Sequence, residues 1–189
     1  SYIESLIEKG VQYFVVEYVP EKVAGKAHFC VVENTTNALQ NLAKAYKNQF
    51  QIETIGITGS NGKTIVKEWL NFLLSPDFLV VRSPKSFNSQ VGVPLSIFGI
   101  NENHTLGIFE AGISLKGEMQ KLAEIIQPNI GIFTHLGNAH QEGFTTVEEK
   151  IIEKCQLFTN SEIVILEKND WIEKHITAPT FTWSFEDTK

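Results

Sequence analysis

The feature that most constrains this chain is a glycine-rich stretch between a β-prone run and an amphipathic one. Residues 55–64 read Ile-Gly-Ile-Thr-Gly-Ser-Asn-Gly-Lys-Thr. Isoleucines at positions 52, 55 and 57 indicate a short strand before the turn, and apolar residues at helical spacing follow it. Those following residues are Ile65, Trp69, Phe72 and Leu73. The local order is therefore strand, glycine turn and helix, which is the order of a phosphate-binding loop.

The residues of this loop suit a nucleotide phosphate. Gly59 and Gly62 allow a tight turn that brings backbone N–H groups close to a phosphate, Lys63 adds a cation, and the Thr64 hydroxyl suits Mg²⁺. The predicted ATP-binding residues are Thr58, Gly59, Ser60, Asn61, Gly62, Lys63 and Thr64. The standard P-loop has glycine at the position of Ile57, so this is a shortened form, and a glycine turn without a ligand is the alternative interpretation.

Composition excludes several other classes of protein. The formal net charge of −6 argues against a general nucleic-acid-binding protein. No apolar run reaches the length of a membrane span, and no basic-then-apolar leader opens the chain. Cys30 and Cys155 are far apart and form no CxxC pair, so we expect reduced intracellular thiols. We therefore expect a soluble, cytoplasmic protein that inserts into no membrane, and Ser1 in place of Met suggests a piece of a longer chain.

The sequence predicts two parts. Residues 1–50 indicate a small αββα unit, whose last helix has an apolar stripe and a capping-box-like pair, Asn37 and Gln40. From residue 51 onward, apolar strand-like runs alternate with helical ones, which predicts an α/β fold with a mostly parallel sheet and helices on both faces. The stripe consists of Leu39, Leu42, Ala43, Tyr46 and Phe50, and the later runs are residues 78–81, 106–109, 130–133 and 163–166.

Polar residues follow four of the predicted strands, and ligands of parallel sheets gather at the carboxyl ends of strands. They are residues 58–64, 83–88, 110 and 138–142. Glu110 closes an apolar run, and because an unpaired buried carboxylate is costly, we expect a cation or a set of donors beside it. A metal contact and a solvated strand end are the two interpretations of Glu110. His140 is a candidate ligand in the same way, and an ordinary loop histidine is its alternative.

Lys154 lies on the apolar face of a predicted helix. Thr146 and Glu149 form a capping box at the start of this helix, and its apolar face consists of Val147, Ile151, Cys155 and Phe158. Glu148, Glu149, Glu153 and Gln156 are placed on the flanks or the far side. A lysine on a core-facing surface either reaches out to water or pairs with an acid. The chemical alternative is a neutral amine, favoured by burial, that reacts with carbon dioxide to form a carbamate able to bind Mg²⁺.

Several motifs together resemble one enzyme family in order and spacing. They are Thr-Gly-Ser-Asn-Gly-Lys-Thr at 58–64, Asn-Ser-Gln-Val-Gly-Val-Pro at 88–94, Glu-Ala-Gly at 110–112, Gly-Glu at 117–118, His-Gln-Glu-Gly-Phe at 140–144 and residues 154–158. The chain resembles the Mur ligases, ATP-dependent enzymes that form amide bonds in peptidoglycan synthesis and are related to folylpolyglutamate synthases. Within the family, His-x-Glu-Gly-Phe and Asn-x-x-x-Gly-Val-Pro are most similar to the branch that joins D-alanyl-D-alanine (D-Ala-D-Ala) to a UDP-N-acetylmuramoyl tripeptide.

The resemblance implies a role for each matching residue. Lys63 and the loop amides would hold the ATP phosphates, and Thr64 and Glu110 would bind one Mg²⁺. Glu110, His140 and carbamylated Lys154 would bind a second Mg²⁺, and Asn88 would lie near the substrate or the γ-phosphate. The implied catalytic residues are Lys63, His140 and Lys154. The reaction passes through an acyl phosphate of the UDP-linked peptide.

The resemblance also implies a domain organisation. Residues 1–50 resemble the latter part of the family's UDP-substrate-binding domain, and residues 51–189 its central ATP-binding domain. The resemblance implies a C-terminal domain outside these residues, so we expect the isolated chain to bind nucleotide weakly and to form no amide bond. Some members of the family are fused to an alanine racemase, and these residues leave open whether the parent protein is.

Two departures from the family pattern and two alternative functions also stay open. Residues 166–170 lack the family's Asn-containing turn at the nucleotide, which puts adenosine contacts there in doubt, and Ser89 and Gln90 replace an Asn-Asp pair. The alternative functions are a ligase of the same superfamily for another amino acid or for folate, and a non-catalytic nucleotide-binding module.

Overall fold

The computed structural model describes residues 2–137 and 143–184 of the chain. The first elements are a helix, two strands and a helix, in the predicted order. They are α1 (Tyr2–Glu8), β1 (Tyr13–Val16), β2 (His28–Val31) and α2 (Thr35–Lys47), with a 3-10 turn at Glu21–Val23. β1 and β2 pair in parallel and form a sheet of two strands.

The rest of the described chain alternates strands and helices. The elements are β3 (Glu53–Thr58), α3 (Lys63–Leu74), β4 (Val80–Arg82), α4 (Gly92–Ile97), β5 (Leu106–Glu110), α5 (Glu118–Ile126), β6 (Ile130–Phe133), α6 (Val147–Cys155), β7 (Ile163–Glu167), α7 (Asp170–Glu173) and β8 (Thr180–Trp183). A 3-10 turn at Gln156–Phe158 continues α6. The strands form a six-stranded sheet in the order β4-β5-β3-β6-β7-β8, and each neighbouring pair is parallel. The predicted α/β class and parallel sheet are confirmed.

Strand β3 lies at the centre of this order, with β5 on one side and β6 on the other. From β3 the chain goes to the edge strand β4, returns to β5 beside β3, and then crosses to β6 on the opposite side. In parallel sheets the crevice for a ligand opens at such a reversal, outside the carboxyl ends of the strands. This topology brings the residues after β3, β5 and β6 to one place.

Helices cover both faces of the sheet, as predicted. On one face α2, α4, α5 and α6 pack around a core that includes Ala43, Phe109, Leu122, Phe133 and Phe158. On the other face α3 packs against β3 and β5 through its partly buried Val66, Leu70 and Leu74. Side chains alternate between the faces of a strand, so β5 contributes Phe109 to the first core and Leu106 and Ile108 to the second.

The apolar residues that predicted α3 do not face the sheet. The helix itself is confirmed, but Ile65, Trp69, Phe72 and Leu73 are 58–79% exposed. Helix α3 has a second apolar row, offset by one residue, and it is this row that packs against the strands. On the same side of the sheet, Phe181 of the edge strand β8 is also exposed.

Helix α2 begins earlier than its sequence pattern predicts. Asn34 caps it, and the Asn34 side chain accepts a hydrogen bond from the N–H of Asn37 at 2.8 Å. The predicted capping box at Asn37 and Gln40 is therefore wrong, because Asn37 lies inside the first turn. Leu42 of the predicted stripe is exposed, whereas Gln40, which is outside the stripe, is buried.

The predicted boundary between the two parts, near residue 50, stays a prediction, although α2 packs on α4 and α5. Among the described helices, none combines the length and apolar character needed to cross a membrane.

Candidate functional site

The loop between β3 and α3 has the geometry of a phosphate cradle. Gly59 and Gly62 have φ angles of 140° and 87°, which L-residues rarely adopt. A Cβ atom at Gly59 would lie 2.0 Å from the Thr134 Oγ1, so only glycine fits there. Gly62 precedes α3, and no side chain caps the helix at this position. The start of α3 therefore points its backbone N–H groups and its positive dipole end at the loop.

The end of β6 fastens this loop in place. The Thr134 hydroxyl lies 2.6 Å from the carbonyl oxygen of Asn61 and 3.1 Å from that of Thr58. The N–H of Ser60 donates to the carbonyl of His135 at 2.9 Å. The Ser60 hydroxyl is buried and has no hydrogen-bond partner among the described residues. An unpaired buried hydroxyl in a cradle fits an oxyanion ligand that would accept a hydrogen bond from it.

Glu110 ends β5 directly beside this loop and is fully buried. Its Oε2 lies 3.1 Å from the hydroxyl of Thr64 and 3.5 Å from the amide nitrogen of Asn88. Its Oε1 lies 2.9 Å from the ammonium of Lys67. Because Glu110 is fully buried, it is not a solvated strand end, and it is surrounded by the cation and donors that a buried carboxylate needs.

The sequence interpretation missed Lys67. This lysine lies on α3 one turn after Lys63 and is fully buried. Its ammonium donates to the carbonyl oxygen of Ser83 at 2.8 Å and also to that of Lys85. The signal that could have found it is its spacing, because Lys67 shares a helix face with Lys63 and with the buried row of α3.

Lys154 is buried on α6, as its position in the apolar face predicts, with 3% of its surface exposed. Its ammonium donates to the carbonyl oxygen of Gly59 at 3.0 Å. Burial, together with the nearby charges of Lys63 and Lys150, lowers the pKa of Lys154 to about 7. The side chain therefore does not reach out to water, and a substantial fraction of the amine is neutral at pH 7.

Lys63 lies next to Lys154 at the same loop. Its ammonium donates to the carbonyl oxygen of Gly59 at 2.9 Å and lies 3.4 Å from that of Ser60. Burial lowers the pKa of Lys63, and the carboxylate of Glu110 opposes this shift. Two lysines thus share the Gly59 carbonyl, which concentrates positive charge on one side of the loop.

In helix α6 the predicted cap is confirmed, but the predicted position of Glu153 is wrong. Thr146 caps the helix, and its side chain accepts from the N–H of Glu149 at 3.1 Å. Glu153, which the pattern placed on a flank or the far side, is buried. Its carboxylate accepts from the N–H of Met119 at 3.0 Å. The first turn of α5 leaves N–H groups without intrahelical partners, and Glu153 satisfies one of them.

A cleft of about 240 Å³ opens at these groups. Its lining includes Gly59, Ser60, Lys63, Asn88, Lys150 and Lys154, together with Ser89, Gly112, Ile113 and Ser114. A larger cleft of about 650 Å³ lies at the amino ends of β6 and β7, where Pro128 and Asn160 line it. Charged groups that suit phosphate chemistry line the smaller cleft, so position and chemistry locate the site better than size does.

Residues 88–90 take on different tasks. The carbonyl oxygen of Asn88 accepts from the N–H of Gly112 at 2.8 Å, and this contact holds Asn88 next to Glu110. Gln90 instead accepts a hydrogen bond from the buried side chain of Gln40 at 2.8 Å. Gln90 therefore fastens α2 to the segment before α4.

Asn169 follows β7 and has a local structural role. Its side chain oxygen caps α7 by accepting from the N–H groups of Trp171 and Ile172 at 3.1 and 3.2 Å. The oxygen is therefore already engaged in local structure.

The structure brings together the predicted residues of the loop, Asn88, Glu110 and Lys154. His140 lies outside the described residues, so its place in the site stays a prediction. Within residues 2–137 and 143–184, no group of three or more His, Cys, Asp and Glu side chains could hold a metal. A magnesium site here would rest on oxygen atoms of Glu110 and Thr64. Glu110 Oε1 lies 2.9 Å from the Lys67 ammonium, whereas Oε2 faces the Thr64 hydroxyl at 3.1 Å, and a carboxylate oxygen beside a hydroxyl fits a hard cation.

A glycine loop with a lysine and a hydroxyl, facing a buried carboxylate at the centre of a parallel sheet, defines an α/β domain of the P-loop class. The chain belongs to the Mur ligase family, because its residues 57–188 match the Mur ligase middle domain. The resemblance seen in the motifs is thereby confirmed.

Curated relatives carry one name. The chain is 36% identical over 168 residues to the UDP-N-acetylmuramoyl-tripeptide--D-alanyl-D-alanine ligase of Treponema pallidum, a match that covers 84% of this chain and 37% of the relative. It is 34% identical over 160 residues to the ligase of the same name from Rickettsia prowazekii, covering 85% of this chain and 35% of the relative. The chain thus spans little more than a third of the length of these relatives.

Solved structures share the fold. MurF from Acinetobacter baumannii superposes with a TM-score of 0.87 at 23% identity, covering 99% of this chain and 42% of that one. MurF ligase from Thermotoga maritima in complex with ADP gives a TM-score of 0.86 at 25% identity, covering 97% and 44%. E. coli FolC in complex with DHPP and ADP gives a TM-score of 0.56 at 14% identity, covering 76% of this chain and 46% of that one.

Proposed function

We propose that this chain is the ATP-binding part of a cytoplasmic ligase that joins D-Ala-D-Ala to a UDP-N-acetylmuramoyl tripeptide in peptidoglycan synthesis. The observation that carries the proposal is the convergence of Thr64, Glu110 and Lys154 on one loop. The shared name of the relatives supports the substrates, and the ADP complex of the Thermotoga maritima protein supports ATP as the nucleotide.

Mg²⁺ is the cofactor that this set of oxygen atoms fits. Thr64 and Glu110 would hold one ion, and Glu110, His140 and carbamylated Lys154 would hold a second. When bound, Mg²⁺ supplies positive charge that stabilises the γ-phosphoryl group as it is transferred. Lys63, the loop N–H groups and the Ser60 hydroxyl would hold the phosphates, and Asn88 would lie near the γ-phosphate or the substrate.

The reaction demands that two anions approach each other. An oxygen of the tripeptide's terminal carboxylate attacks the γ-phosphorus of ATP, the bond to the bridging oxygen breaks, and ADP leaves. The amine of D-Ala-D-Ala then attacks the acyl carbon and loses a proton as the C–N bond forms and phosphate departs. Lys63 and the Mg²⁺ ions would contribute the positive charge that such an approach requires, and the Lys63 side chain is already fixed at the Gly59 carbonyl before the reactants arrive.

We propose that Lys154 is carbamylated, because its amine is buried beside the phosphate loop and burial favours the neutral form that can react with CO₂. The neutral amine nitrogen bonds to the carbon of CO₂ and gives up a proton, which leaves a carbamate anion with two oxygen ligands. Incubation with ¹³C-labelled bicarbonate should produce a carbamate signal in the ¹³C NMR spectrum at pH 8. Lys154→Met should abolish this signal, and a signal that survives the substitution would assign it to another lysine.

The test of the function is phosphate release by the complete polypeptide. We expect release to depend jointly on the UDP-linked tripeptide and on D-Ala-D-Ala, with the extended peptide as product. Product formed instead with a single amino acid, or with folate and glutamate, would assign another ligase function. Normal turnover by Lys154→Ala would contradict the role of this lysine. The absence of turnover by the wild-type polypeptide with every substrate tested would favour a nucleotide-binding module.

The 189-residue chain by itself should bind nucleotide weakly and form no amide bond. We propose that residues 1–50 belong to the UDP-substrate-binding domain, that residues 51–189 form the ATP-binding domain, and that a C-terminal domain completes the site. Amide formation by the isolated chain would contradict this organisation.

A further inference from the structure

We propose that Lys67 is a positioning residue that fixes the Glu110 carboxylate and the segment after β4 for the magnesium nucleotide. The inference rests on the proposed function, because it assigns the support of the Mg²⁺ site rather than the site itself. Lys67 is the fully buried lysine of α3, and its ammonium contacts Glu110 and the segment after β4, whereas the ammonium of Lys63 contacts the Gly59 carbonyl.

The first step of the argument is the number of acceptors that Lys67 meets. An ammonium has three N–H donors. Lys67 is within reach of the carbonyl oxygens of Ser83 and Lys85 and of Glu110 Oε1. The exposed carboxylate of Glu68 lies slightly further away, at 3.2 Å. With two neutral carbonyls and one buried carboxylate around it, the ammonium connects three separate parts of the chain.

The second step concerns the backbone that follows β4. Lys85 has a φ angle of 49°, an uncommon conformation for a residue with a side chain. In this conformation the Lys85 carbonyl points at Lys67. The same segment carries Asn88, whose side chain lies 3.5 Å from Glu110 Oε2. Lys67 therefore holds both ends of the contact between this segment and the carboxylate.

The third step is the division of labour between the two oxygens of Glu110. Lys67 is on the side of Oε1, whereas Thr64 and Asn88 are on the side of Oε2. A carboxylate that is held on one side by a buried cation cannot rotate freely, and supporting contacts of this kind orient metal ligands. Lys67 thus fixes the direction in which Glu110 faces Thr64 and the phosphate loop.

The experiment measures the affinity of the complete polypeptide for ADP by calorimetry over a range of free Mg²⁺ concentrations. Loss of the supporting contact in Lys67→Met should raise the Mg²⁺ concentration needed for half-maximal binding about tenfold or more. Charge alone acts in the opposite direction, because removal of a cation beside a carboxylate favours Mg²⁺. An increased requirement for Mg²⁺ therefore reports lost positioning and not lost charge.

Lys47→Met is the matched control, because Lys47 is another buried lysine, on α2 and outside the cleft. Its Mg²⁺ requirement should equal that of the wild type. Lys67→Arg is a second variant that keeps the charge but replaces the three diverging donors by a planar group, and it should also need more Mg²⁺.

An unchanged or lowered Mg²⁺ requirement in a folded Lys67 variant would overturn the inference, and so would failure of both variants to fold, which would assign Lys67 to the core alone. Absence of ADP binding by the wild type at every Mg²⁺ concentration would contradict the proposed function, and this inference with it. Wild-type binding with unaffected variants would contradict only the role of Lys67.

Discussion

The two sides of the phosphate loop differ in how their buried charges are compensated. On the acidic side, which consists of Glu110 and its surroundings, a buried carboxylate meets Lys67, Thr64 and Asn88. On the basic side, which consists of Lys63 and Lys154, two lysines donate to the same Gly59 carbonyl, and burial lowers the pKa of both.

The difference shows which ligand each side suits. On the acidic side, the charge of Glu110 is already offset by Lys67, and carboxylate and hydroxyl oxygens remain as ligands. This side therefore suits a cation whose charge is balanced by an anion bound with it. The basic side concentrates positive charge at a carbonyl that neutralises it only weakly, so an anion would relieve it. The proposed magnesium nucleotide would satisfy both sides at once, and the predictions below test each side separately.

The largest expected effect comes from breaking the acidic side. Glu110→Gln leaves the Lys67 ammonium buried without its carboxylate, which should lower the free energy of unfolding by about 3–5 kcal/mol. Urea unfolding followed by circular dichroism measures this loss. Glu68→Gln is the control, because Glu68 also approaches Lys67 but is exposed, and it should cost less than about 1 kcal/mol. Equal losses in both variants would show that burial does not distinguish these carboxylates.

On the basic side, Lys63→Met should weaken nucleotide binding more than folding. Loss of hydrogen bonds from an ammonium to phosphate should cost about 1.5–3 kcal/mol of binding free energy, which is roughly a 10- to 150-fold loss in ADP affinity. Titration calorimetry on the complete polypeptide measures it. Lys26→Met changes the net charge equally at an exposed position and should leave the affinity unchanged. A similar loss in both would point to overall charge rather than to the loop.

Lys154 should make stability depend on pH. The unfolded chain keeps its proton up to the usual pKa of 10.5, whereas the folded chain releases it above about 7. The unfolded state therefore binds more protons in this window, so the free energy of unfolding should rise with pH, by up to about 1.4 kcal/mol per pH unit. Below pH 7 both states are protonated and the contribution is constant.

Lys154→Met should remove this rise, and unfolding by urea at pH 7, 8 and 9 measures it. Lys121→Met, at an exposed position on α5, should keep the wild-type slope. A slope that persists in Lys154→Met would show that another group causes it.

The smallest expected effect is a loss of stability from the cap of α6, the helix that carries Lys154; α3, which carries Lys63, has no such cap. Thr146 caps α6, whereas Gly62 leaves α3 without a side-chain cap. Thr146→Ala should therefore lower stability by about 1 kcal/mol. ADP affinity should stay at the wild-type value, because the cap is not part of the loop. A large loss of ADP affinity in a folded Thr146→Ala variant would show that the cap also positions Lys154.

The sequence predicted what depends on strong local patterns. Near-continuous apolar runs located β5, β6 and β7, and the glycine loop located the turn between β3 and α3, because few other structures require such residues. The burial of Lys154 followed from the period of α6. The strand β8 was missed because it has only four residues, alternates threonine with aromatic residues and lies at the edge of the sheet.

What failed depended on choices that only packing makes. Helical periodicity found an apolar row in α3 but could not decide between the row of Trp69 and the row of Leu70, and the second one faces the sheet. Lys67 escaped notice for the same reason, because it lies beside the row that was not chosen. The burial of Glu153 depends on an N–H group of α5, which is distant in sequence.

The exposed aromatic residues affect how this protein can be studied. All three of its tryptophans, Trp69, Trp171 and Trp183, keep 44–68% of their surface in contact with solvent. Indole emission shifts when a buried ring becomes wet, and these rings are largely wet before unfolding begins. Intrinsic tryptophan emission should therefore report little of the collapse of the sheet, and a probe of the backbone is the better choice for measuring it.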